Sequence, residues 1–173
     1  MKLQPIIRPE TSADYDTITQ VTLAAFTGKF SDNPTEHIIV QRLREAGSLT
    51  LSLVAELNHE VVGHVAFSPV TINVDFIGWY GLGPISVVPA LQKQGIGSAL
   101  IHTGLEQLKG TGAQGCVLEG DFRYYQRFGF RAYPQLTYAG APAPEYFMAL
   151  PFYETVPGGW VEFHPAFYGP LEA

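Results

Sequence analysis

The segment Gln92-Lys-Gln-Gly-Ile-Gly-Ser98 could hold an anion with its backbone alone. It follows an apolar run, Ile85 to Val88, and precedes the stripe Leu100, Ile101, Leu105 and Leu108. A strand that passes through a glycine turn into a helix presents unpaired N–H groups and a partial positive charge at the helix start. Gly95 and Gly97 let a ligand come close to those groups. The arrangement suits a phosphate or pyrophosphate. Two familiar phosphate loops are excluded at named positions. A nucleotide-triphosphate loop requires Lys-Ser or Lys-Thr after its last glycine, and Ser98-Ala99 follow Gly97 here. A dinucleotide fingerprint requires a small residue where Leu100 stands.

A second chemistry-bearing segment runs from Gly115 to Phe130. Cys116 to Leu118 reads as a short buried strand. Asp121 can cap a short helix through Tyr124, Tyr125 and Phe128, and Gly129 can end it in the left-handed conformation. Tyr125 to Phe130 has the order Tyr-x-x-x-Gly-Phe.

The spacing Gln-x-x-Gly-x-Gly after a strand resembles the acetyl-coenzyme A loop of the GNAT superfamily of N-acetyltransferases. Tyr-x-x-x-Gly-Phe resembles the second signature of that family, in the right order and with a helix between the two. The likeness covers about Ile6 to Leu150. Gly63-His-Val-Ala-Phe-Ser-Pro69 is also similar to a subgroup of largely uncharacterised bacterial members. The resemblance implies an α/β fold with a mixed, mostly antiparallel central sheet, splayed between its fourth and fifth strands and flanked by helices. It implies acetyl-CoA as cosubstrate and an amine as acceptor. Ile85, Ser86, Val87 and Val88 would then pair with the pantetheine arm as an added strand does. Val87 N–H would polarise the thioester carbonyl. Gln92, Lys93, Gln94, Gly95, Ile96, Gly97 and Ser98 would surround the pyrophosphate.

Tyr125 is the general acid this implies, since a phenol has an ordinary pKa near ~10. The general base is open. Some family members carry a glutamate in the fourth strand, and Trp79-Tyr-Gly-Leu-Gly-Pro84 has no carboxylate. Candidates are Glu119, Asp121, Glu56, His64 or an ordered water chain. Glu119 could instead pair with Arg123 or Arg127, and His64 alternates with Val62 and Ala66 as a core residue would. The family's acceptor pocket maps to residues 26–34 and 133–145. Phe26, Phe30, Tyr133 and Tyr138 are the candidate walls, with Tyr146 beside them. The acceptor could be a small amine, an amino-acid derivative, an aminoglycoside-like drug or a protein amine. An alternative is a non-catalytic acyl-CoA sensor on the same fold, because fold does not guarantee activity. A different phosphate-ligand protein is a third reading.

These groups must be positioned by a chain of 173 residues, enough for one domain with a real core. We expect a single N-acetyltransferase domain over 1–173, with its core at 3–150 and an aromatic extension at 151–173. Apolar residues make up 46% and charged residues 15%, a globular balance. The formal charge of −6 argues against nucleic-acid binding. No apolar run approaches the ~20 residues of a membrane span, and cytoplasmic residence is the default. Cys116 is the single cysteine, so an internal disulfide and a cysteine-based zinc cluster are excluded. His37, His59, His102 and His164 lack metal-ligand spacing, and no metal is expected.

The order of elements reads strand, two helices, three strands, helix, strand, helix, strands. Leu3 to Arg8 forms the first strand, and Ser12 caps the first helix. Asn33-Pro34 opens the second helix. Leu49 to Leu57 and Val61 to Pro69 form a hairpin. Val161 to Phe167 forms a last strand. Trp160, Phe163, Phe167 and Tyr168 would cover the core, wall the substrate or form a homodimer surface.

Overall fold

In the computed structural model, residues 3–29 and 31–169 are described. Phe30, one candidate acceptor wall, lies outside them. The strands are β1 (Ile6–Pro9), β2 (Leu51–Leu57), β3 (Glu60–Pro69), β4 (Thr71–Ile72), β5 (Trp79–Val87), β6 (Gly115–Glu119), β7 (Leu136–Thr137), β8 (Phe147–Pro151) and β9 (Gly159–Glu162). The helices are α1 (Tyr15–Phe26), α2 (Glu36–Glu45), α3 (Ile96–Gly110) and the single turn α4 (Phe122–Tyr125). Six strands form the main sheet in the order β1-β2-β3-β5-β6-β8, and β4-β9-β7 form a smaller one. All neighbours in the main sheet are antiparallel except β5 and β6.

Alternation sorts the sheet into two faces. Leu53 and Ala55 of β2, with Val65 and Phe67 of β3, pack against Leu100, Ile101 and Leu108 of α3. Val54 points the other way and meets Ile18 of α1 and Val40 of α2. Strand β9 pairs with β4 and β7. Val161 and Phe163 pack beneath this small sheet with Trp79, Val117 and Phe147.

Several element ends differ from the sequence reading. Thr11, not Ser12, opens the first helical turn, and its N–H donates to Asp14 Oδ2 at 2.7 Å. Thr35 is the N-cap of α2, one residue past Asn33-Pro34. The last strand stops at Glu162, because Pro165 opens a 3-10 turn over Pro165–Phe167. The hairpin turns at Asn58 and His59, both with positive φ (50° and 67°). That geometry matches the right-handed twist of the flanking strands.

The feature that builds the site is the partial divorce of β5 from β6. Only Trp79, Tyr80 and Gly81 pair with β6, opposite Gly115, Cys116 and Val117. Val65 faces Ile85 and Phe67 faces Leu82, so β5 spends three residue steps where β3 spends two. The extra residue falls at Gly83-Pro84. Such a bulge bends its strand and increases its local twist. Beyond it, residues 82–87 stay on β3 and part from β6.

Candidate active site

The parting leaves a cleft of about 540 Å³. Leu82 to Val87 line one wall, and Glu119, Gly120, Asp121, Tyr124 and Tyr125 line the other. The direction of the β5 backbone follows from two bonds. Val88 N–H donates to Val62 O at 2.9 Å, so that peptide faces β3. Val87 O instead accepts from Gln92 Nε2 at 2.9 Å, on the opposite edge. Ladder groups alternate along a strand. The N–H groups of Val87 and Ile85 therefore face the cleft.

The glycine loop continues this edge. Lys93 and Gly95 both have positive φ, 64° and 94°. Gly95 is the N-cap of α3 with no side-chain cap bond. Among the described residues, none of the N–H groups of Lys93, Gln94, Gly95, Ile96, Gly97 or Ser98 donates a hydrogen bond. A Cβ at Gly97 would meet Tyr124 Oη at 3.4 Å and Val87 Cγ2 at 3.9 Å, so the space beside the glycine is open to ordinary contact distance. Six undonated amides at the mouth of a 15-residue helix suit a doubly charged diphosphate. These residues fit the group the sequence implied for them.

Tyr125 is half-buried, with its ring edge-on to Tyr124 and Phe130. Burial first, then the neighbouring Tyr124 and Asp121, push its phenol up to about 12. It stays protonated across the physiological range. Asp121 accepts from Arg123 N–H at 2.9 Å and holds the Arg123 guanidinium with two contacts of 3.0 Å. Arg127 is directed to the Tyr124 carbonyl. Glu119 thus takes neither arginine as a partner. Desolvation alone raises its carboxyl.

Of the expected acceptor walls, Phe26 and Tyr138 line the cleft. Tyr133 does not line it and packs against the cluster beneath the small sheet. Lys29 also lines the cleft, from within the expected 26–34 segment, whereas Glu36 and Ile39 fall outside the segments the sequence pointed to. Phe163 and Phe167 also reach it, from the aromatic tail. The one available signal was that Glu36 falls in the first turn of a helix adjoining the expected pocket.

His64 is not a cleft residue. It is fully buried, and burial lowers its pKa to about 4. Its Nε2 lies 2.8 Å from Ser52 Oγ, and Ser52 in turn donates to Glu10. Since the serine spends its proton on Glu10, His64 must carry its own on Nε2. Arg44 completes the chain on Glu10 at 2.8 Å. Glu56 belongs to a different pair, with Arg8 at 3.2 Å.

A model of the acetyltransferase (GNAT) domain matches residues 48–132. A GNAT family acetyltransferase from Brucella melitensis, solved with acetyl-CoA, is 50% identical. The likeness covers 95% of this chain and 98% of that one, with a TM-score of 0.84. This chain belongs to the GNAT family. The GNAT N-acetyltransferase YhbS from Escherichia coli, solved with CoA, is 31% identical over 98% of this chain and 94% of that one, at a TM-score of 0.88. In the sequence comparison, the uncharacterised N-acetyltransferase YhbS of Escherichia coli K12 is 39% identical over 100 residues. That match takes in 57% of this chain and 60% of the curated relative's length. The mixed, mostly antiparallel sheet flanked by helices is the GNAT fold these structures share. Among the described residues no helix is long and apolar enough to cross a membrane, and no cluster of side chains could hold a metal ion.

Proposed function

We propose that this protein is an acetyl-CoA-dependent N-acetyltransferase that moves an acetyl group to a primary amine by direct transfer in a ternary complex. One observation carries the reading. The free edge of β5 leads through the short 3-10 turn Pro89–Leu91 into a loop of undonated amides, and a protonated tyrosine stands on the facing wall. The acetyl-CoA and CoA in the two similar GNAT structures support the choice of ligand.

Gln92 to Ser98 would hold the pyrophosphate with backbone N–H groups, with Lys93 beside them. Ile85 to Val88 would pair with the pantetheine amides. When bound, acetyl-CoA supplies an activated acetyl carbon. Val87 N–H donates to the thioester oxygen, where negative charge develops in the transition state. Glu119 takes one proton from the bound ammonium, leaving a neutral amine whose second proton passes to water as the C–N bond forms. Its desolvated carboxyl, without a cationic partner, is a better base than a free one. Tyr125 gives its phenolic proton to the departing sulfur as the C–S bond breaks. Both residues are reset by proton exchange with water. The aromatic and aliphatic side chains around the cleft limit the water that reaches the thioester.

Calorimetry with acetyl-CoA, ATP and NAD tests the ligand, and free-thiol release with a panel of amines tests the reaction. We expect acetyl-CoA alone to bind tightly, and thiol release that requires an amine. Binding with no amine-dependent release would leave an acyl-CoA sensor. No binding of acetyl-CoA would overturn the reading.

A further inference from the structure

Two carboxylates in the cleft have no ion-pair partner among the described residues. Glu36 opens α2 and Glu119 ends β6, and both line the cleft. Neither makes an ion pair or hydrogen bond among the described residues. Of the other charged side chains there, Asp121 is ion-paired with Arg123 and Lys29 reaches a neutral amide oxygen. Lys29 Nζ lies 3.4 Å from Gln92 Oε1, at the loop end of the cleft where the diphosphate would sit. Phe26, Ile39, Phe163 and Phe167 supply apolar surface to the same cleft.

Resting on the acetyl transfer proposed above, we propose that the acceptor is a primary amine on an apolar, ring-sized body with no carboxylate near its nitrogen. An ammonium is drawn to Glu36 and Glu119 and gains from nearby aromatic faces. A flat apolar body gains by stacking on the phenylalanine rings. A carboxylate next to the amine meets two like charges, with the cleft's lysine, Lys29, turned to Gln92 at the loop end, and this costs affinity. Free amino acids are thereby disfavoured, while simple arylalkylamines and amide-blocked amino acids fit. Glu36 is the residue that sets this preference, because Glu119 is occupied with the amine's proton.

The test uses the full chain at saturating acetyl-CoA. Phenylalaninamide lacks the negative charge of phenylalanine and has a less basic amine, so their rates are compared per unprotonated amine; 2-phenylethylamine lacks the carboxyl group altogether. The kcat/KM for phenylalaninamide should exceed that for phenylalanine by about tenfold or more. Glu36→Gln should narrow that ratio, chiefly through the KM for phenylalanine. Equal kcat/KM for the two overturns the inference and leaves the acetyltransferase reading standing. So does a ratio that Glu36→Gln does not move. Failure to bind or acetylate 2-phenylethylamine, by a protein that binds acetyl-CoA, also overturns it. Failure to bind acetyl-CoA brings down both.

Discussion

Gln92 Nε2 donates to the Val87 carbonyl oxygen at 2.9 Å, tying the first residue of the glycine loop to the last residue of the β5 edge. The bond holds the two halves of the proposed acetyl-CoA site in one alignment. Gln92→Ala should weaken acetyl-CoA binding by about fivefold, the worth of one hydrogen bond, while barely moving Tm. Titration calorimetry measures the change. An unchanged Kd would mean that the loop finds its position without Gln92.

Tyr124 and Tyr125 are adjacent yet face different parts of the cleft. The Tyr124 hydroxyl sits beside Gly97, at the loop, whereas the Tyr125 ring packs over Gly120. Tyr125→Phe should lower kcat by about 10²-fold with little change in acetyl-CoA affinity. Tyr124→Phe should act on acetyl-CoA binding instead. Steady-state kinetics on the pair separates the roles, and equal losses of kcat would remove Tyr125 as the acid.

Desolvation raises the Glu119 carboxyl, and a base works only when deprotonated. The kcat/KM should therefore fall as pH drops through that raised pKa and level off above it. Glu119→Gln should lower the plateau by about 10²-fold and abolish the acidic limb. A pH–rate profile of both proteins decides this. If the limb survives in Glu119→Gln, another group or a water chain carries the proton.

Asp14 anchors the entry to α1. Its carboxylate accepts from the Arg8 guanidinium at 2.8 and 3.0 Å. The Arg8 hydrogen bonds hold it near a pKa of about 2, against an ordinary 3.8. A depressed folded pKa means stability that is present above the unfolded value and lost as pH falls through the folded one. Arg8 is partly exposed, so the pair contributes about 1–2 kcal/mol. Asp14→Asn should lower Tm at pH 7, and the gap should close between about pH 4 and pH 2. Thermal melts across that range would show it.

Gly104 lies on α3 directly over the Phe67 ring, and a Cβ there would run into the ring. Gly104→Ala should cost about 1–3 kcal/mol from overpacking, despite the better helix propensity of alanine. Gly110 has open space around its Cβ position. Gly110→Ala should hold or raise Tm. A Gly104→Ala protein as stable as wild type would mean that Phe67 can swing aside.

Much of the scaffold was legible because it rests on local rules. The α3 stripe of Leu100, Ile101, Leu105 and Leu108 is buried as its spacing requires. Asp121 caps α4, and Gly129 takes a positive φ of 96°. Element ends were less legible. Neighbouring Ser, Thr, Asn and Pro residues compete for one cap, and tertiary docking chooses among them.

The strand-to-glycine-to-helix order belongs to the sequence, because φ preferences and helix starts are properties of a few adjacent residues. So does the family resemblance carried by Gln92 to Ser98 and Tyr125 to Phe130. Which edge of β5 faces a ligand, and how far β6 stands from it, emerged only when the bulge at Gly83-Pro84 was set against β3. The company kept by Glu119 was likewise decided in three dimensions. Arg123 turned to Asp121, and Glu36 and Phe167 arrived from segments far apart in the chain. Spacing along a chain governs backbone conformation, whereas a pocket is made by surfaces that meet only after the core has closed.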